Sequence, residues 1–460
     1  MAEPKRKADA KKKKGKRKPK PIPALKLRPS TDPLPELGQV EETIRDLIDR
    51  AEEPRREGPG RRKVLPALCL WAGLLVCVLR GFQSQTEVWR LLAVRGMWSY
   101  PLFEVTSEAV RQRLLQKGGA AALQTLFEQI TKLLAARLQP YAEDLVDFAV
   151  EVVAIDQTTL DKVMRHLPEL RTVKNGDPAL LPGRLSSRFD LRRQQWQKIE
   201  FTEDAQQNEK VLARRMVESL PPGSLILFDL GYFAFEFFDW LTGHGYWWIS
   251  RMKNKVTFEI VHVHYRHKDT LDALIWLGIY RADRTKHLVR LVQFRHGSEV
   301  RRYITNVQDP KLLPLHRIAE LYARRWDIEM AFKLVKRELK LHLLWSANQE
   351  MVLLQVWAVL IISQVFQALR KEIAGKAGVD VFDVSMTLMI RMLPQFAADG
   401  LDPVETFVQR GRFGGMIRPA RRIKIKVPRI NPARIKPPPE GLLMERTPRY
   451  AHRKCESRSN

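Results

Sequence analysis

The chain has 460 residues, 45% of them hydrophobic, enough for two or three domains with real cores. Its 79 Lys and Arg outnumber 52 Asp and Glu, giving a formal charge of +27 and a pI near 10.1, a surplus that points to a polyanionic partner. The surplus is spread along the chain and not set beside one apolar anchor, which favours nucleic acid over a membrane; the length and apolar content argue against a ribosomal or histone-like role.

Residues 1–35 are Lys, Arg and Pro with few apolar side chains, and read as a basic arm that is disordered until it meets phosphate. Residues 36–145 read as a helical, DNA-binding domain. Glu41–Ala51 is amphipathic, Leu65–Leu79 is strongly apolar and Thr86–Ala93 is short. Thr106 suits an N-cap for a helix over Ser107–Lys117, with Gly118 and Gly119 as its stop. Arg111, Gln112, Arg113, Gln116 and Lys117 on that helix resemble a recognition helix, although an ordinary surface helix carries the same residues. Val64–Leu79 is short and contains Pro66, and Met351–Leu369 contains Gln355, Ser363, Gln364 and Gln367; both are read as buried helices, not membrane spans. The basic N-terminus is not followed by an apolar core, so no secretory signal is visible. Cys69, Cys77 and Cys455 form no Cys-x-x-Cys pair, so a reducing compartment is expected, with a cytoplasmic, nucleoid-associated location.

Near Phe148 the pattern changes. The β-branched run ending at Asp156 reads as a buried strand. Gly176, Pro178, Pro182 and Gly183 mark a loop. Ser187–Phe201 reads as two strands with a turn at Gln194 and Gln195, and Asp204–Ser219 as a helix broken by Pro221 and Pro222. Leu225–Asp229 is a second buried strand ending in an acid; Gly231 permits a sharp turn into a helix over Phe235–Thr242. Tyr246–Met252 is a further strand, with Arg251 and Lys253 at its end as candidate phosphate contacts. Between Lys253 and Val307 the runs are β-type, notably Lys286–Phe294 and Val300–Thr305. A helix follows, then the long apolar helix from Met351, and the chain closes on a Pro-rich basic tail that reads as extended or disordered.

The helix Leu321–Lys336 organises the rest. At about 100° per residue, Tyr322, Arg325, Glu329 and Lys336 fall within about 60° of one another, while Leu321, Ile328, Ala331, Val335 and Leu339 can pack on a sheet. The ordinary explanation is a solvated face laced with charge pairs. The alternative is a carboxylate and two cations aligned at the edge of a buried face. Side chains at the carboxyl ends of neighbouring strands converge outside a sheet, so Asp156, Asp229 and Glu329 could meet. An Asp after a strand is as often a cap or turn residue; two of them with a helical Glu is a rarer coincidence. Three carboxylates without His or Cys prefer Mg²⁺ or Mn²⁺. Two such ions, roughly 4 Å apart, could activate a water or a 3′-hydroxyl and steady the leaving oxygen. His262 and His264 could share a strand face, but no fixed acid or Cys joins them as ligands.

Tyr322, Arg325, Glu329 and Lys336 match the signature Tyr-x2-Arg-x3-Glu-x6-Lys with every spacing kept. On that motif, and on Asp156 in Ala-Ile-Asp-Gln-Thr and Asp229 in Phe-Asp-Leu-Gly-Tyr-Phe, the chain resembles the DDE transposases of the insertion-sequence-four family over residues 60–370. The resemblance implies an α/β fold: a ribonuclease-H-like catalytic core (146–252 and 311–375) interrupted by a β-rich insertion (253–310). The N-terminal helical domain, a C-terminal helical segment (376–417) and basic disordered tails (1–35 and 418–460) are read from the sequence itself, and the Pro-rich tail departs from the family core. One hundred residues separate Asp229 from Glu329, far more than a strand-to-helix connection needs. It implies Asp156, Asp229 and Glu329 as catalytic metal ligands for Mg²⁺ or Mn²⁺, two ions in all. It also implies cut-and-paste transposition of an insertion sequence by end nicking, hairpin formation and strand transfer. Tyr322 and Arg325 would position phosphates, Lys336 would hold the hairpin strand, and Trp247, Trp248 or Trp276 would stack on a flipped base. Double-stranded DNA, element ends and target, is the implied partner, with a homodimer on DNA. A non-catalytic DNA-binding derivative and a structure-specific nuclease on the same fold are the competing readings.

Overall fold

The computed structural model describes residues 38–51, 64–82, 84–97, 100–137, 145–160, 183–204, 209–279, 283–420 and 427–450. The basic arm and the loop around Pro178 lie outside the described residues.

The N-terminal helices form as read. They are α1 (Gly38–Asp49), α2 (Ala67–Leu79), α3 (Gln85–Arg90), α4 (Ser107–Leu114) and α5 (Gly119–Arg137). Thr106 caps α4, its hydroxyl accepting the Ala109 N–H at 3.2 Å. Gly119, expected as a stop, instead opens α5. Every residue of α2 from Leu70 to Leu79 is buried, as an all-round apolar helix must be. On α4, the exposed Arg111 and Gln112 are bound to Glu108, and Arg113 to the Leu65 carbonyl.

Among the described residues, nine strands make one sheet: β1 (Val152–Thr159), β2 (Arg184–Asp190), β3 (Gln195–Thr202), β4 (Leu225–Leu227), β5 (Trp247–Arg251), β6 (Phe258–His267), β7 (Thr270–Leu277), β8 (Val289–His296) and β9 (Glu299–Thr305). Their order is β3-β2-β1-β4-β5-β9-β8-β7-β6. β1, β4 and β5 run parallel, β2 and β3 form an antiparallel hairpin on one side, and β9 to β6 continue antiparallel on the other. Helices α6 (Glu209–Val217) and α7 (Phe235–Gly243) cover one face. The other face carries α8 (Leu315–Arg324), α9 (Trp326–Lys333) and the long α10 (Gln349–Ala377), followed by α11 (Met386–Ala398) and α12 (Pro403–Arg410).

Alternate strand residues face opposite cores. Val152, Ala154, Leu225, Leu227 and Ile249 share one core with α1, α2, α5 and α10, while Val153, Ile155, Ile226, Phe228 and Trp248 join the second, aromatic core. The N-terminal helices therefore share their core with the sheet.

Helix α10 is long and apolar enough to cross a membrane, but 89% of its most apolar window is buried inside the protein. Its amides show why it is polar in places. Gln364 pairs with the backbone of Trp196 on β3, through N–H···Oε1 at 2.9 Å and Nε2–H···O at 2.7 Å. Gln355 bonds Leu343 and Trp345. Buried amides are kept where they complete backbone groups.

The expectation of a disordered tail is not met between Val427 and Tyr450. That segment is an extended strap across β6, β7 and β8. Lys436 N–H donates to the His264 carbonyl, Leu288 N–H to Met444, and Arg446 reaches the carbonyls of Leu277 and Gly278. Both His262 and His264 bond the Lys436 carbonyl, so they hold the strap.

Candidate active site

Two of the three acids are placed by strand register. β1 pairs with β4 in parallel up to Ala154 and Leu227, and β4 with β5 up to Leu227 and Ile249. Two residues further on stand Asp156, Asp229 and Arg251, the next positions on the same face of three adjacent strands, about 4.8 Å apart from strand to strand. Arg251 in turn pairs with Tyr303 on β9. An acid, an acid, a cation and a phenol thus form one row across the sheet.

Asp156 was expected at a strand end. Instead β1 runs on to Thr159, held by β2 alone, because β4 stops short. Asp156 therefore has no parallel strand partner on that side. Asp229 caps the turn Leu230–Tyr232, its carboxylate accepting the Gly231 N–H at 2.7 Å. A capping role and a place in the row coexist.

The third acid comes from the helices over this face. α8 and α9 are nearly continuous, since Arg325 between them keeps helical angles. Ile328, Ala331 and Phe332 are buried in the shared core. The last turn differs from expectation: Leu334–Glu338 widens into a π turn, a feature common at functional sites. From it Lys336 reaches β1 and donates to Thr158 Oγ at 2.6 Å, two residues past Asp156 on the same face.

Charge confirms proximity. Burial, the largest cause, pushes the Asp156 carboxyl up to about 6; the Gln157 N–H and Arg325 oppose the shift, and the negative fields of Asp229 and Glu329 add to it. Asp229 and Glu329 therefore both act on Asp156, as does Arg325. Arg325 is 7% exposed and pairs with Glu329 at 2.6 Å. Tyr322, 5% exposed, is pushed up to about 12 by burial, with Arg325 and Arg251 pulling the other way and Asp229 adding to the rise. Its ring packs on Tyr303 at 5.1 Å. Arg251 and Lys253 are exposed, and the Lys253 ammonium lies 5.3 Å from the Phe233 ring, just past Asp229.

Among the described residues, no three His, Cys, Asp or Glu side chains form a ready metal cage. Glu329 is turned to Arg325. The donor set nevertheless fits a hard divalent cation: three carboxylates, one of them half-buried and raised chiefly by that burial.

The stacking candidates need correction. Trp248 is fully buried and stacked on Phe238 at 4.4 Å. Trp276 lies under Arg446 and Trp247 edge-on to Phe148. Among the described residues the exposed indole is that of Trp326, at 57%, beside Met330 at 56%. Sequence reasoning followed the polar stripe and missed them; their i,i+4 spacing on the same helix was the available signal.

The raised Asp156 carboxyl has a stability consequence. Its folded value lies above the unfolded one, so its contribution is fully present below about pH 4 and is lost as pH rises through about 6. Asp156→Asn removes this penalty. Its melting temperature should exceed that of the unaltered chain at pH 8 and match it at pH 4, a difference on the order of 2 kcal/mol once partial exposure is allowed for. An equal offset at both pH values in thermal melts would refute it.

Residues 151–364 match the family model described as the transposase DDE domain, a span that includes the two aspartates, Glu329 and the whole sheet. That match supports a DDE transposase domain in this segment. No curated protein matches the chain. Among solved structures, the piggyBac transposase synaptic complex with hairpin DNA is similar at a TM-score of 0.40 and 9% identity, over 88% of this chain and 86% of that one.

Proposed function

We propose that the chain is a DNA transposase that cuts and joins DNA by metal-dependent phosphodiester hydrolysis and transesterification. The observation that carries this is the meeting of Asp156, Asp229 and Glu329 on one sheet face within a DDE domain match. The strand order supports a ribonuclease-H-like core: an antiparallel hairpin, then parallel β1, β4 and β5, with acids on the first two parallel strands. On this reading β6–β9 are the insertion between Asp229 and Glu329, and the substrate is an insertion-sequence end processed by nicking, hairpin formation and strand transfer. A homodimer on DNA in the cytoplasm, at the nucleoid, completes the proposal.

Asp156, Asp229 and Glu329 would hold Mg²⁺ or Mn²⁺, two ions in all, which when bound supply activation of a water or 3′-hydroxyl and stabilisation of the leaving oxygen. The rest is this chain's own work. Arg325 neutralises Glu329 in the free protein. It becomes available to a phosphate once Glu329 is otherwise engaged. Tyr322 keeps its proton and can donate it in a hydrogen bond. Arg251 and Lys253 extend positive charge from the acids outward. Trp326 and Met330 offer a flat apolar surface to a nucleobase.

Lys336 depends on Thr158 for its position. Thr158→Val should lower cleavage about tenfold and Thr158→Ser should restore it; equal loss in both variants would refute the hydrogen bond as the cause. The overall test is incubation of the protein with Mg²⁺ or Mn²⁺ and plasmid carrying the sequences that flank its gene. Joined products are expected. Cleavage without joining would make it a nuclease. The Glu329–Arg325 pair favours a second reading, a DNA-binding derivative without catalysis; tight binding with no cleavage would select it.

A further inference from the structure

A second apolar group stands fully in solvent away from the acids. Phe413 is 100% exposed. It sits at the tip of a tight turn, Gly411–Met416, that closes α12. The turn is built rigidly. Gly414 N–H donates to the Arg410 carbonyl, and Met416 and Ile417 N–H both donate to the Gly411 carbonyl, each at 2.8 Å. A side chain at Gly411 would meet the Phe407 carbonyl at 2.4 Å, and Gly415 has φ of +65°, a conformation that favours glycine. Met416 and Ile417 anchor the turn, each 5% exposed. The ring is therefore held out by design of the backbone, without a packing partner.

Its surroundings are mainly cationic, with one neighbouring carboxylate, Asp383, engaged by the Ala420 N–H at 2.9 Å. Arg410, Arg412 and Arg418 are exposed, and no acid occurs from Arg410 to Arg418. The nearest preceding acid, Glu405, lies more than a helical turn back and accepts from Gln409 at 2.8 Å. A lone exposed apolar side chain is ordinary. A rigidly presented aromatic ring among three arginines matches a base stacking face among phosphate contacts.

The turn also lies beside the catalytic helix. Ser385 N–H donates to the Met416 carbonyl and Arg418 N–H to the Asp383 carbonyl, both at 2.9 Å. Next to them, the Phe382 ring lies 4.8 Å from the Arg324 guanidinium, and Arg324 bonds Asp327 at 2.7 Å. An unbroken run of contacts links the turn to the helix that carries Glu329.

We propose that the Phe413 turn is a second contact for double-stranded DNA, separate from the acids, with the arginines on phosphates and the ring against a base step. This rests on the DNA reading above. The full chain and its Phe413→Ala, Phe413→Tyr and Arg412→Ala variants are titrated against a random-sequence duplex across a salt series. Phe413→Ala should weaken binding about tenfold with an unchanged salt slope, and Phe413→Tyr should retain it. Arg412→Ala should flatten the slope by about one. Unchanged affinity in Phe413→Ala overturns the proposal. So does a loss of self-association by that variant in sedimentation, which would assign the ring to a second copy of the chain. Failure of the unaltered chain to bind any duplex overturns the DNA reading itself, a result distinct from both.

Discussion

Asp156→Asn and Glu329→Gln each lower strand cleavage by about a thousandfold or more. Both replacements keep shape and remove a charge from a site where Asp229 and Glu329 already act on Asp156. Asn at 156 keeps an oxygen for the Gln157 N–H, which now donates to Asp156 at 2.8 Å. Gln at 329 still offers an oxygen to Arg325 in place of the 2.6 Å ion pair. The fold should therefore persist, and DNA binding should hold or tighten as negative charge leaves the pocket. Cleavage and equilibrium binding measured on the same preparations decide the matter. Loss of binding in step with loss of cleavage would deny these acids a role in chemistry. Full cleavage by either variant would sink the site. Asp229→Asn should behave likewise, with its turn intact, because an amide oxygen can still accept the Gly231 N–H.

What could be read beforehand follows from the range of each interaction. Asp156 and Asp229 stand out because apolar runs lead into them, and burial of such runs is a property of local composition. Glu329 stands out because helical spacing is local too. The register that aligns residue 156 with 229 and 251 is a long-range fact; pairing partners cannot be told from the strands singly. The π turn at Leu334–Glu338 is likewise invisible. It arises where Lys336 finds Thr158, 178 residues away in sequence. The strap was misread for a third reason. Its docking uses arginine and backbone groups, such as Arg446 on the carbonyls of Leu277 and Gly278, and such contacts leave no hydrophobic period to detect. Buried glutamines 355 and 364 look like flaws in an apolar helix until their backbone partners on distant segments are known.

Removal of either member of the Asp272–Arg290 pair should cost about 3–5 kcal/mol of stability. Arg290 is wholly buried and Asp272 is 1% exposed. The guanidinium grips the carboxylate with both ends, Nε to Oδ1 at 2.7 Å and Nη2 to Oδ2 at 2.6 Å. Its remaining nitrogen donates to the Leu313 carbonyl at 2.7 Å, one residue before the N-cap of α8. The pair thus joins β7 and β8 to the start of the helix that leads to Glu329. Asp272→Ala leaves a buried cation without its counter-charge; Arg290→Ala leaves a buried anion and frees the helix end. Urea melts should show the midpoint falling steeply in both. The double variant Asp272→Leu with Arg290→Met removes both charges and should recover most of the stability, since the desolvation cost disappears with the attraction. Cleavage should stay low in the double variant, because nothing then holds the Leu313 carbonyl and the helix that presents Glu329 loses its fixed origin. Recovery of both stability and cleavage would reduce the pair to core filling. Recovery of stability alone would make it the device that sets the third acid against the other two.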